Sequence, residues 1–273
     1  MSSSTSEAPR VLVSIDDHVA TVTLNRPDKR NGLDLAMFEA IVSTGEALAK
    51  DTRVRAVVLE GAGKVFCAGL DWGAFLSMGE EGGPKLLARG DASPANVAQR
   101  VGWIWQELPV PVIASLHGAA VGGGLQIALG CDVRIAHPDT QLSVMEIKYG
   151  LIPDMSLTQT LFRLARPDVV AELMYTGRVL PASEGLGLGL VTRLSDDPRT
   201  AAHALAKEIA SKSPHAIRAA KQLARGAVGL DAKESFLLET RLQLGLLQTP
   251  NQMEAVMAVM QKRDAQFADV EGT

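Results

Sequence analysis

The N-terminal part of the chain alternates between short apolar runs and polar breaks. Residues 11–15 and 19–24 are rich in β-branched side chains and are separated by Asp16-Asp17-His18, which predicts a β-hairpin. Residues 35–49 carry apolar side chains at helical spacing, and residues 56–59 form a short continuous apolar run. This order predicts two paired strands, a helix and a buried strand.

The middle of the chain continues the alternation of strands and helices. Residues 79–94 are rich in glycine, proline and charge, which predicts a mobile surface loop. A helix is predicted over residues 95–108, and strands are predicted over residues 111–116 and 133–136. Strands that alternate with single helices indicate the α/β class.

The signals for strands stop after about residue 200. Four further helices are predicted, over residues 201–211, 214–227, 232–247 and 252–268. We therefore divide the sequence into a disordered tail (1–9), an α/β core (10–200) and a C-terminal helical segment (201–273). Such a helical segment either caps the active site of its own chain or forms a surface for oligomers.

The composition mainly excludes classes of protein. The 273 residues include 27 Lys+Arg and 31 Asp+Glu, a formal net charge of −4, which argues against a nucleic-acid binder. The two cysteines and five histidines lack paired metal-ligand spacing, so we expect no metal site. No secretory signal and no apolar run long enough to span a membrane are found. We expect a cytoplasmic protein without a membrane partner.

Two segments place glycines between a predicted strand and a predicted helix. They are FCAGLD at residues 66–71 and HGAAVGGGLQ at residues 117–126. N–H groups at a helix start lack intrahelical partners, and glycine lets the main chain approach a ligand closely. If the two turns face each other, they form an oxyanion hole for charge that develops on a carbonyl oxygen. The alternative is that the glycines serve only the tight packing of a helix on a strand.

Together these segments resemble the two signature segments of the crotonase (enoyl-CoA hydratase/isomerase) superfamily. Asn25-Arg26-Pro27 and residues 150–153 and 175–178 match the same family in order and spacing. The resemblance covers about residues 10–268.

The resemblance implies a fold, a substrate and an assembly. The fold is a crotonase-like spiral of ββα units, followed by C-terminal helices that form homotrimers, often paired as hexamers. The substrate is an acyl-coenzyme A, and no separate cofactor is implied. The thioester oxygen is held by the backbone N–H groups of the residues at the positions of Leu70 and Gly123.

The resemblance also identifies positions for acids that move protons. Hydratases of the family carry one glutamate three residues after the Gly123 position and a second one twenty residues further on; here these positions hold Gln126 and Glu146. An amide does not exchange protons near neutral pH. Asp154 stands eight residues after Glu146, and an acid at this place resembles dienoyl-CoA isomerases, although those also carry an acid at the Gln126 position. We expect Glu146 and Asp154 to be catalytic and Gln126 to hydrogen-bond near the substrate.

An alternative for Asp154 is the N-cap of a helix that begins near Ser156, since aspartate caps helices well.

Five further residues are candidates for contacts with coenzyme A. Lys29 and Arg30 could meet its phosphates, and Lys262 resembles a basic position of the last helix that reaches coenzyme A in the family, sometimes from a neighbouring subunit. By the same resemblance, Ala68 and Asp71 supply backbone contacts to the adenine.

Three hypotheses for the function follow from the sequence. The first is an isomerase that shifts a double bond of an enoyl- or dienoyl-coenzyme A in fatty-acid-type degradation. The second is an enoyl-CoA hydratase that uses Glu146, alone or with Asp154. The third, from a different class, is a non-catalytic acyl-coenzyme A binding protein, which the amide at Gln126 favours.

Overall fold

The structure, a computed structural model, describes residues 8–90 and 93–271. Most of the predicted disordered tail, residues 1–9, lies outside the described residues. The strands are β1 (Val11–Asp16), β2 (Val19–Leu24), β3 (Ala56–Gly61), β4 (Val112–Leu116), β5 (Ala119–Val121), β6 (Val133–Ala136), β7 (Gln141–Ser143), β8 (Leu180–Pro181) and β9 (Arg193–Leu194).

The α-helices lie between the strands in the N-terminal part of the chain and are the main elements of the C-terminal part. They are α1 (Leu35–Lys50), α2 (Trp72–Ser77), α3 (Gly82–Leu87), α4 (Val97–Glu107), α5 (Gly123–Leu129), α6 (Leu157–Leu164), α7 (Pro167–Thr176), α8 (Ala182–Gly187), α9 (Pro198–Ala210), α10 (Pro214–Gly226), α11 (Ala232–Leu244) and α12 (Pro250–Gln261). Short 3₁₀ turns occupy Pro27–Lys29, Gly79–Glu81 and Glu146–Tyr149.

Two sheets organise these elements. The larger sheet has the order β1-β2-β3-β4-β6-β9, and the smaller one has the order β5-β7-β8. The β1–β2 pair is antiparallel, which confirms the predicted hairpin. Asp17 and His18 in its turn have φ values of 45° and 65°, the left-handed conformation that a tight hairpin turn requires. The chain therefore has the α/β fold of ββα units that the resemblance implies.

The central strands of the larger sheet are buried on both faces. Val57 and Leu59 of β3 belong to the main core, which also contains the apolar faces of α1 and α4. Ala56 and Val58, which point the other way, pack with Ala202, Ala206 and Ala210 of α9. Because both faces are covered, the central parallel strands read as continuous apolar runs. One face of the sheet is thus covered by α9, which lies near the start of the segment assigned to residues 201–273.

The stretch predicted as a loop over residues 79–94 is partly helical, so that prediction was wrong. It contains a 3₁₀ turn (Gly79–Glu81) and α3. Leu86 on α3 is buried and joins the main core, and Pro84 lies in the first turn of α3, where proline is tolerated. Asp91 and Ala92, also in this stretch, lie outside the described residues.

The last helix is shorter than the predicted range of residues 252–268. It ends at Gln261, and Lys262 takes the left-handed conformation with φ 54°. Beyond it, the N–H and C=O of Ala268 pair with the side chain of Asn251, and the Phe267 carbonyl accepts from Arg55. Apolar spacing continues past residue 261. However, the side chains of Asn251 and Arg55 form hydrogen bonds with the backbone there, which is not helical.

In the part of the chain that the structure describes, every helix is too short or too polar to cross a bilayer.

Candidate active site

The two glycine-containing segments lie side by side. The Cys67 N–H donates to the Ala119 carbonyl (3.0 Å), and the Val121 N–H donates to the Cys67 carbonyl (3.1 Å). The approach is so close that a Cβ atom on Gly124 would lie 2.3 Å from the Cys67 carbonyl oxygen, a contact that real Cβ atoms do not make. Glycine at position 124 is therefore required for the two segments to meet in this way.

Leu70 presents its N–H on the side opposite to its paired strand. Its neighbours use the other side, because the Leu33 N–H donates to Gly69 (2.8 Å) and the Asp71 N–H donates to Leu33 (3.0 Å). N–H groups alternate along extended backbone. Among the described residues, no group accepts a hydrogen bond from the Leu70 N–H.

Gly123 presents the second N–H at the first position of α5, where a helix has no internal acceptor. Gly122 enters this helix with φ 55° and ψ −127°, a conformation open to glycine alone. A Cβ atom on Gly69 would lie 3.4 Å from the Gly123 nitrogen. The two segments thus lie close together at Gly69 and Gly123, and the N–H groups of Leu70 and Gly123 are the candidate donors of an oxyanion hole.

A mostly apolar cavity of about 280 Å³ opens at this place. Of the ten residues that the sequence singled out as site residues, five line its wall: Ala68, Leu70, Gly123, Glu146 and Asp154. The remaining wall comes from α1, α2, α3, α4 and the segment around Gly150, and comprises Phe38, Gly69, Trp72, Phe75, Gly83, Leu86, Leu87, Ala98, Gly122, Met145, Tyr149, Leu151, Ile152 and Met155.

Gln126 joins two segments of the chain through its side-chain amide and lies outside the wall of the cavity. It is buried, with only 1% of its surface exposed. The amide oxygen accepts from the Met155 N–H (2.9 Å), and the amide nitrogen donates to Glu146 Oε1 (2.6 Å). The amide orientation follows from this pairing, because the Met155 N–H needs an acceptor. Both ends of its amide are bound within the protein, and a hydrogen bond of Gln126 near the substrate stays a prediction.

Glu146 is held by one oxygen and leaves the other without a partner. It begins the 3₁₀ turn after β7 and lies over Gly122, where a Cβ atom would be 3.5 Å from Oε1. Oε2 is buried, and no described group lies in hydrogen-bond geometry to it. Burial raises the pKa of Glu146, the Gln126 amide opposes this, and the charge of Asp154 raises the pKa further.

Asp154 stands in the irregular segment before α6. The residue as a whole is exposed, but desolvation of its carboxyl raises its pKa. The alternative role as a helix cap does not fit, because α6 starts at Leu157 and its N-cap residue is Ser156, without a side-chain cap bond. Two carboxyls with raised pKa values therefore share the cavity with the two N–H groups.

Asp71 has a structural role in this chain, and its predicted backbone contact with the adenine stays a prediction. Its N–H donates to Leu33 and its carbonyl accepts from Phe75. Its carboxylate caps α2 through the Ala74 N–H (3.1 Å) and pairs with Arg26 (2.9 Å). These contacts, that with Ala74 foremost, lower its pKa.

The basic candidates are exposed and lie outside the wall of the cavity. Arg30 is next to it, because its carbonyl accepts from the Ala68 N–H (3.0 Å), and Lys29 precedes it at the end of a 3₁₀ turn. Lys262 ends α12. Of these three candidates, Arg30 contacts the first glycine-containing segment within the same chain, and Lys29 is its neighbour in sequence.

An aromatic wall of the cavity was not predicted. The rings of Trp72 and Tyr149 stack with centroids 4.3 Å apart, and Phe75 meets Trp72 edge-on at 5.9 Å. A signal was present, because aromatic residues make up only 4% of the chain and two of these three directly adjoin motif residues.

Across the described ranges, no three His, Cys, Asp or Glu side chains are grouped so that they could hold a metal ion.

Comparisons with known proteins cover almost the whole chain. The family model described as enoyl-CoA hydratase/isomerase matches residues 14–270. The chain is 33% identical over 267 residues to the mitochondrial Delta(3,5)-Delta(2,4)-dienoyl-CoA isomerase of Mus musculus. The alignment covers 93% of this chain and 80% of that protein. It is 31% identical over 261 residues to a Bacillus subtilis protein named "Probable enoyl-CoA hydratase", with 94% and 98% covered.

A solved structure is also similar throughout. The crystal structure of an enoyl-CoA hydratase from Bacillus anthracis matches with a TM-score of 0.86 at 30% identity, over 94% of this chain and 98% of that chain. Both isomerases and hydratases are thus similar to this chain at nearly the same identity.

The raised pKa of Glu146 predicts a pH-dependent effect of Glu146→Gln on stability. The folded protein keeps a proton that the unfolded chain releases, so Glu146 destabilises the fold increasingly as the pH rises from its ordinary pKa through the raised one. The variant lacks this titration. Its free energy of unfolding relative to the wild type should therefore increase as the pH rises above about 4, the ordinary pKa of a glutamate.

Urea unfolding at several pH values measures this difference. Glu208→Gln, at an exposed position on α9, is the matched control and should show no such trend. A Glu146→Gln difference that is the same at every pH would contradict the prediction.

Proposed function

The chain belongs to the enoyl-CoA hydratase/isomerase family, and we propose that within this family it is an isomerase that shifts a double bond of an enoyl- or dienoyl-coenzyme A. One observation carries the proposal. Glu146 and Asp154 line the same cavity as Leu70 and Gly123, while the remaining acid position of the family is a buried amide bound within the protein.

The proposed chemistry begins at the thioester. Its oxygen accepts from the N–H groups of Leu70 and Gly123, which stabilise the negative charge of the enolate. One carboxylate removes a proton from a carbon of the unsaturated chain, and the electron pair moves through the conjugated bonds onto that oxygen. When the charge returns, the other carboxyl protonates a different carbon, so the double bonds move and no water is added.

The geometry favours a division of work between the two carboxyls. Glu146 lies over Gly122, next to the Gly123 donor, so it serves the carbon near the thioester. Asp154 stands at a separate part of the wall and serves the distal carbon. Burial keeps the pKa values of both carboxyls raised. The pKa values are therefore closer to neutral pH, where a carboxyl can act as an acid or as a base.

Gln126 favours isomerisation over hydration. Activation of water by two carboxylates needs a titrating group at both positions, and an amide at one of them cannot supply it. The hydratase alternative, with Glu146 acting alone or with Asp154, is supported by the relatives named as hydratases.

Coenzyme A is proposed to lie along the first glycine-containing segment, with its phosphates near Lys29 and Arg30. Lys262 is proposed to reach the phosphates from a neighbouring copy, because it is outside the cavity wall of its own chain. The cytoplasmic location stays a prediction.

Glu146→Gln and Asp154→Asn should each lower turnover of an enoyl- or dienoyl-coenzyme A by about 10² or more, the scale for loss of a positioned proton carrier. Both changes keep the shape of the side chain, so binding of the thioester should survive. Absorbance and product mass follow the reaction, since isomerisation conserves mass. Asp139→Asn, at a highly exposed site, is the control and should keep wild-type turnover.

Near-normal turnover of Asp154→Asn on every substrate would refute the two-carboxylate mechanism. Wild-type product heavier than the substrate by one water would favour the hydratase.

Gln126→Glu should raise hydration relative to isomerisation. The new carboxyl would face Glu146 Oε1, now 2.6 Å from the amide nitrogen, and two carboxyls at this distance share a proton, which recreates an acid–base pair for water. The ratio of hydrated to isomerised product by mass spectrometry measures the change. Gln126→Met, which removes the amide without adding an acid, should lower both products and yield no such shift.

An unchanged product ratio in Gln126→Glu would show that the amide does not decide the reaction.

We also propose a trimer or a pair of trimers. Helices α11 and α12 expose large apolar side chains, among them Phe236, Leu237, Leu244, Val259 and Met260, and a surface of this kind marks an interaction site. Light scattering at micromolar concentration should give three or six copies, and Val259→Glu with Met260→Glu should lower the mass. A wild-type monomer would refute the assembly.

A further inference from the structure

A second cleft lies between α4, α6 and α10, away from the acyl cavity. Its volume is about 530 Å³, and no residue of its wall also lines that cavity. Its wall is rich in cations and comprises Trp103, Glu107, Leu108, Pro109, Arg163, Arg218, Lys221, Gln222, Arg225 and Gly226.

Three arginines of this wall have no carboxylate partner among the described residues: Arg163, Arg218 and Arg225. The nearby carboxylates serve other cations. Asp132 pairs with Lys221 at 2.7 Å, and Glu107 is 3.7 Å from Arg100. The charges of Asp132 and Glu107 favour the charged form of Arg225 from longer range, whereas no described carboxylate lies within salt-bridge distance of Arg163 or Arg218.

Lys221 does not add a free donor to the cleft. Its Nζ donates to the carbonyls of Trp105 (2.9 Å) and Val110 (2.8 Å) and to Asp132, which uses all three protons. Its role is structural, and the arginines are the groups left for a ligand.

Arg218 has less compensation than the other two arginines. Arg163 and Arg225 lie in the last turns of α6 and α10, where the helix dipole favours a cation, and Arg225 also lies over the Trp103 ring at 5.7 Å. Arg218 lies within the first half of α10. Its Nε is buried and has no acceptor, although buried donors are normally paired.

We propose that this cleft binds a small oxyanion, a phosphate or phosphoryl group, with Arg218 as the central residue and Arg163 and Arg225 beside it. The guanidinium group presents parallel N–H donors that match two oxygens of one phosphate. An anion here would give the buried Nε an acceptor and would lower the repulsion among the arginines. Partial burial of the cleft strengthens both effects, because water screens charges less there than at an open surface.

Calorimetric titration of the full chain with inorganic phosphate at low ionic strength tests the proposal. Saturable binding is expected, weakened about tenfold or more in Arg218→Gln, because a charge-assisted pair of hydrogen bonds is lost. Arg193→Gln removes the same charge at an exposed position on β9, outside the cleft, and should change the affinity by less than about twofold.

Thermal unfolding provides a second measurement. Each variant is compared with itself with and without phosphate, so a change in stability caused by the substitution alone does not affect the shift of the midpoint. Phosphate should raise the unfolding midpoint of the wild type and of Arg193→Gln, and it should raise that of Arg218→Gln much less. Absence of saturable binding to the wild type, or equal affinity of Arg218→Gln and wild type, would overturn the proposal. So would dissociation of the oligomer in Arg218→Gln without phosphate binding to the wild type, because the arginines would then serve a carboxylate of a second copy.

Discussion

The active site depends on one backbone contact, the pairing of Cys67 with the second glycine-containing segment. The Cys67 N–H and C=O bond to Ala119 and Val121, and the contact is possible because position 124 has no side chain. Once the segments are joined, Leu70 and Gly123 lie at the same cavity. In the proposed mechanism their N–H groups are fixed by the backbone, so they need no reorganisation when charge develops on a bound carbonyl.

A second level of order comes from the Gln126 amide. It links the Glu146 carboxylate to the backbone of the segment that carries Asp154, so both carboxyls are held relative to the same helix. Burial alone would leave Glu146 free to rotate. The amide donates to Oε1 and leaves Oε2 unpaired, so Oε2 is the oxygen that the proposed mechanism would use for proton transfer. Glutamine at position 126 thus removes one acid from the family pattern and, through its hydrogen bonds, holds Glu146 and the segment that carries Asp154.

The chain uses charge in opposite ways at its two clefts. In the acyl cavity, apolar walls hold two carboxyls with raised pKa values, so neutral and charged forms are closer in free energy. In the cleft at α10, burial lowers the pKa of Arg218, but a guanidinium keeps its charge near neutral pH and needs an anion instead. The first arrangement suits proton transfer and the second suits binding.

Local patterns in the sequence determined the hairpin of β1 and β2, helix α1 and strand β3, because each depends on neighbouring residues and on a period of the chain. The motifs also predicted which residues would meet at the cavity, including Glu146 and Asp154. The extent of α3 and the end of α12 were decided by tertiary contacts, since the main core buries Leu86 and Asn251 and Arg55 satisfy extended backbone. The role of Gln126 was decided in the same way. Its partners are twenty or more residues away in sequence, and hydrogen bonds over such separations leave no periodic trace in the chain.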